Sequence, residues 1–168
     1  GQGSTFWFTL PSTLAVSNPR DAFKPAAWKE ARVLVAATLD AERRVMVSHL
    51  SSWGVTTTSV SGGADALALL LQAQEEGNPY QIAFVSRNLP SMDGERLGKT
   101  IRKMPSYDSL SLVLMAPYAN RLESKECAAQ GFGSILVAPL VRDLALRQCM
   151  DSAWQDHLSR RGAVAASE

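Results

Sequence analysis

The chain is 168 residues long, carries a net charge of +1 and is 46% apolar. That suffices for one domain with its own core and extra segments at the ends. The near-zero charge excludes a whole-chain electrostatic case for nucleic acid or an anionic membrane, and no apolar run reaches the roughly 20 residues of a membrane span.

Residues 1–11, GQGSTFWFTLP, read as a Gly-rich turn and then an alternating strand, with Phe6 and Phe8 on one face and Trp7 and Thr9 on the other. Residues 12–31 read as a linker containing Ser12, Ser17, Pro19 and Pro25, with a short helical turn over Ala26–Ala31 around Trp28. From Arg32 the pattern is regular. Val33–Ala37 is an apolar run suited to a buried parallel strand. Ala41–Trp53 has Val45, Met46, His49 and Leu50 at helical spacing, and Gly54 stops it. Val55–Val60 alternates with threonines as a strand does. Ala64–Glu76 is a helix ended by Gly77, and Ile82–Val85 a second buried strand. Pro90–Gly94 is a turn, Glu95–Lys103 a short helix and Leu110–Met115 a third apolar strand. Leu122–Gln130 is helical to Gly131, Ile135–Val137 is a last short strand, and Arg142–His157 is the closing helix. The Arg-, Ala- and Ser-rich residues 159–168 read as a flexible tail.

Strand and helix thus alternate five times over residues 32–158. Parallel strands need crossover connections, so the pattern predicts an α/β, flavodoxin-like fold: a five-stranded parallel sheet, order 2-1-3-4-5, with helices on both faces. In such sheets the site lies at the carboxyl ends of the strands. Cys127 and Cys149 have no metal or redox spacing and read as reduced thiols. His49 and His157 are isolated and read as solvated or packed side chains rather than ligands. With no secretory signal pattern at the start, the expected setting is cytoplasmic.

Three pieces within 32–150 carry a resemblance. YQIAFVSRNLPSMDG (Tyr80–Gly94) is similar to the family string in which a tyrosine opens the third strand, a phosphoacceptor aspartate ends it and M-P-x-M-D-G follows. RVLVAATLDAERRV resembles the first strand and its acidic turn, and AAQGFGSILVAPL resembles the last helix–strand pair, which ends in Lys-Pro. The region resembles the CheY-like receiver domains of two-component response regulators and hybrid histidine kinases. The string G-x-G-[ST]-x-F-x-F-x-L-P, matched by Gly1, Gly3, Ser4, Phe6, Phe8, Leu10 and Pro11, resembles the last strand of the histidine kinase ATP-binding domain.

In this register the positions of receiver chemistry are vacated. The metal-binding acidic pair falls on Ala37 and Thr38, the phosphoacceptor on Ser86, the switch hydroxyl on Ala116, the lysine on Ala138 and the switch aromatic on Ile135. A register slip that brought Asp40 into the acidic turn would break the match at Arg32–Val35 and Arg43. Phosphoryl transfer to a carboxylate needs that oxygen, a divalent cation and fixed groups around the phosphoryl oxygens. No carboxylate or ammonium stands at these positions, so no Mg²⁺ and no catalysis are expected of this chain. Ser86 as an atypical phosphoacceptor is disfavoured, because an unactivated hydroxyl is a weak nucleophile. Asp93 is expected to cap the following helix.

The resemblance therefore implies a pseudo-receiver in a phosphorelay, working by docking on kinase or receiver domains of its own chain. Receivers commonly dock through the fourth helix, last strand and last helix, which here would present Tyr118, Arg121, Leu122, Lys125, Val137, Pro139 and Arg142. Some degenerate receivers are implicated in binding cyclic di-GMP. Arg121 and Arg142 are the guanidinium groups such a ligand needs, and Tyr118 and Pro139 offer flat surfaces. The alternative is a docking module with no ligand. No output domain or basic stripe supports a nucleic-acid role.

Overall fold

A computed structural model describes residues 28–117, 124–138 and 143–165. The N-terminal strand expected at 1–11 and the linker over 12–27 lie outside the described residues. Five parallel strands form one sheet in the order β2-β1-β3-β4-β5: β1 (Arg32–Ala36), β2 (Thr56–Val60), β3 (Ile82–Ser86), β4 (Ser111–Pro117) and β5 (Ser134–Ala138). The helices are α1 (Asp40–Ser52), α2 (Gly63–Glu75), α3 (Gly94–Arg102), α4 (Ser124–Ala129) and α5 (Asp143–Ala165). This is the order the alternation predicts. A 3-10 turn over Pro105–Tyr107 precedes β4 and has no counterpart in the predicted elements.

The core has two layers because successive strand side chains point to opposite faces. Val33, Val35, Phe84, Val113 and Met115 face α1 and α5, meeting Met46, Leu50, Leu146 and Met150. Leu34, Ala83, Val85, Leu112 and Leu114 face the other way, onto Leu70, Leu97, Ile101 and Phe132. Covered on both sides, the inner strands read as continuous apolar runs. The edge strand β2, TTTSV, keeps polar side chains and partial exposure. Gly54 ends α1 at φ +80°, a left-handed conformation that glycine adopts without a Cβ clash.

Two expected boundaries are corrected. Residues 28–31 are not linker: Trp28 and Ala31 are fully buried, and the Trp28 ring lies 5.5 Å from that of Trp53. A large indole has more apolar surface than a solvated linker can leave in water, and it fills the space at the base of α1 and α5. Residues 159–165 are not a flexible tail, because α5 continues to Ala165. Arg and Ala are good helix formers, and Arg160 pairs with Asp156 one turn back at 2.9 Å.

Candidate functional site

The carboxyl ends of β1, β3, β4 and β5 converge at one end of the sheet. Ala36 pairs with Val85, Ser86 with Met115, Ala116 with Val137, and Pro117 with Ala138. The register thereby brings positions 37, 86, 116 and 138 together, as a shared site requires. Ala37 and Ala116 are buried methyl groups, Ser86 is half-buried and Thr38 is exposed.

Hydrogen bonds to backbone carbonyls tie the loops around these positions. The Thr38 hydroxyl donates to the Asn88 carbonyl at 2.7 Å, tying the loop after β1 to the loop after β3. Arg43 reaches back from α1 and donates to the carbonyls of Ala37 at 2.6 Å and Thr38 at 2.9 Å. These bonds satisfy polar groups at the strand end that would otherwise need water or a ligand. Gly94 lets the next loop fold tightly under the site, for a Cβ there would stand 2.4 Å from the Ser86 carbonyl oxygen.

The neighbouring carboxylates are committed elsewhere. Asp40 is exposed and bridges Arg43 and Arg44. Asp93 caps α3, as its position in the sequence suggests, accepting from the Arg96 N–H at 2.7 Å. Glu95 pairs with Arg87 at 2.8 Å. Among the described residues no three His, Cys, Asp or Glu side chains group to hold a metal ion. His49 pairs with Asp143 at 3.2 Å, and His157 contacts the Ser109 carbonyl at 2.6 Å. Neither is placed to serve Ser86 as a base. Both thiols are buried and free, and burial pushes the Cys149 thiol up to about 11.

Of the predicted docking face, Tyr118, Arg121, Leu122, Pro139 and Arg142 lie outside the described residues, as does the side chain of Lys125. Val137 is half-buried on β5 opposite Ala116, and Ile135 packs partly against the core layer under α2 and α3. The Arg43 clamp and the Thr38–Asn88 bond have no signature in the sequence. The second joins residues fifty positions apart.

No family model matches the chain. It is 31% identical over 138 residues to the sensor histidine kinase RcsC of Escherichia coli (strain K12), covering 80% of this chain and 13% of that protein. It is 32% identical over 120 residues to RcsC of Salmonella typhi, covering 70% and 12%. It is also 30% identical over 107 residues to hybrid signal transduction histidine kinase K of Dictyostelium discoideum, covering 60% and 8%. The chain thus spans a small fraction of the length of its curated relatives. Among solved structures, chemotaxis response regulator CheY4 of Vibrio cholerae superposes with a TM-score of 0.63 at 20% identity, over 73% of this chain and 98% of that one. The signal receiver domain of an HD domain-containing protein from Pseudomonas fluorescens Pf-5 gives 0.67 at 20% identity, over 79% and 92%. These structures establish the fold.

Proposed function

We propose, from the premise that this chain holds a CheY-like receiver domain homologous to the receiver region of hybrid histidine kinases, that it is a pseudo-receiver. It takes no phosphoryl group and regulates a kinase by docking. The observation that carries the reading is the neutral strand-end cluster: buried Ala37 and Ala116, with the Thr38 hydroxyl spent on a backbone carbonyl. Carboxylates gathered in one pocket repel one another and cost desolvation. Alanine and threonine remove that cost and the cation that would relieve it. With Arg43 and Thr38 pinning the loops, one conformation is favoured. A domain that cannot change its charge does not switch itself. It supplies a constant surface whose occupancy by kinase or receiver domains of the same chain sets the signal, which is a difference in affinity for two states.

The surface proposed for docking is the α4–β5–α5 face containing Tyr118, Arg121, Leu122, Lys125, Val137, Pro139 and Arg142. Its small-ligand version is regulation by cyclic di-GMP, with Arg121 and Arg142 as the guanidinium groups for phosphates and guanine edges. The experiment is a calorimetric titration of the chain with cyclic di-GMP, beside Arg121→Ala, joined to autophosphorylation of the parent kinase carrying Arg121→Ala and Arg142→Ala. Heat lost in the variant assigns the face to the ligand. No heat with altered autophosphorylation assigns it to docking alone. Unchanged heat and unchanged autophosphorylation overturn the choice of face.

A further inference from the structure

At the far end of the sheet from the degenerate site, a groove of about 580 Å³ opens between the end of α3, the turn joining α4 to β5, and the last turns of α5. That volume falls within the roughly 300–1,000 Å³ of small-molecule sites. Its lining includes Lys99, Arg102, Lys103 and Arg160. In a chain of net charge +1, four cations around one concavity are a local concentration.

Arg102 is half-buried while Lys99 and Lys103 are exposed. Its Nε donates to the Gly131 carbonyl at 2.9 Å and its Nη1 to the Tyr107 carbonyl at 3.1 Å. Its Nη2 has no partner among the described residues. No carboxylate pairs with Arg102, Lys99 or Lys103 among the described residues. Asp156 lies close but is shared by Arg160 and the Ser111 hydroxyl. Asp108 acts on Arg102 only through space. Burial and the nearby Arg160 lower Arg102 to about 10, as expected of a cation with too little counter-charge.

The plainer account is that Lys99 and Arg102 complement the carbonyl end of α3. A helix C-terminus carries only about half an elementary charge. With Asp156 and Asp108 added, the negative charge still falls short of four cations. Lys103 caps α3 and shares in that account, but Arg160 belongs to α5. Gln130 also lines the groove; its Oε1 is buried with no donor among the described residues, while its amide donates to Glu95 at 2.9 Å.

We propose that this groove binds a phosphate-bearing small molecule, held by Lys99, Lys103, Arg102 and Arg160. Phosphate oxygens are multiple strong acceptors, and guanidinium and ammonium groups are the side chains that match them. The proposal is independent of the vacated phosphoacceptor position and of the docking face, so it stands or falls separately.

The test is titration of the chain with inorganic pyrophosphate and, separately, with ADP at low salt, followed by calorimetry and by the amide NMR signals of Gly131 and Gly133. The variant is Lys99→Ala/Lys103→Ala, whose side chains are exposed and make no hydrogen bond or ion pair among the described residues. Saturable binding that shifts the two glycine amides, and that the double variant weakens about tenfold or more, is the expected result. A response to both probes identifies phosphate itself as the recognised group, and a response to ADP alone identifies a nucleotide. No saturable binding of either probe at millimolar concentration overturns the proposal. So does binding that the double variant leaves unchanged.

Discussion

Replacing Trp28 with alanine removes the side chain that ties the chain entering β1 to the body of the domain. Trp28 has no exposed surface, and its ring meets Trp53 at 53°. The Arg147 guanidinium lies 4.6 Å from the Trp53 ring centroid, so the group extends into α5. An aromatic side chain of this class buries roughly 150–250 Å². At about 25 cal/mol per Å² that is about 4–6 kcal/mol, an upper bound because the unfolded chain is already partly compact. The aromatic pair adds about 0.5–1.5 kcal/mol, and partial collapse of the vacated space gives some back. The expected loss is about 3–5 kcal/mol, the usual range for a buried aromatic cut to alanine. Against a total stability of about 5–15 kcal/mol, the variant is left marginal. Urea unfolding followed by far-UV circular dichroism measures it, with Trp28→Phe as the milder companion. A loss under about 1 kcal/mol for Trp28→Ala would refute the reasoning and return residues 28–31 to the linker.

Three further outcomes follow from the same contacts. Cys149 holds its proton in the folded state up to about pH 11 instead of the usual 9.0, so the unfolded chain loses that proton first as pH rises. The stability this thiol contributes is therefore full below pH 9 and falls by about 2–3 kcal/mol on the way to pH 11; urea midpoints at pH 8 and pH 10 show the fall, and Cys149→Ala lessens it. Asp93→Ala removes the acceptor for the Arg96 N–H and is expected to cost about 1 kcal/mol by the same unfolding assay; no change would mean the cap is replaced by water. Gly54→Ala has open space, with only Lys29 Cγ at 3.9 Å, so its cost reads the left-handed φ alone, about 1–2 kcal/mol.

What the sequence made legible follows from where each signal is local. The strands at 33–37, 82–85 and 110–115 stand out because both faces of a parallel sheet are covered, which forces unbroken apolar runs. The helix ends at Gly54 and Gly131 stand out because a left-handed residue is needed there. The matching pieces fix a register in which Ala37, Ser86 and Ala116 fall at strand ends, and the sheet brings those three positions together.

Other features depend on partners far along the chain. A single tryptophan in a Pro- and Ser-bearing stretch shows no period, so its place under α1 and α5 is visible only in three dimensions. Residues 159–165 have a composition equally at home in a mobile tail or a helix, and the Asp156–Arg160 pair adds a small local preference for the helix. The basic groove joins α3, the α4–β5 turn and α5, elements separated by tens of residues. No local spacing announces it.

The central claim is that this receiver fold no longer accepts a phosphoryl group. Its most direct test is mass spectrometry of the intact chain after incubation with acetyl phosphate and Mg²⁺, with a receiver known to be labelled as the control. The account predicts no phosphoryl adduct on this chain under conditions that label the control. An adduct that maps to Ser86 and disappears in Ser86→Ala would contradict it, as would one on Asp40 or Asp93.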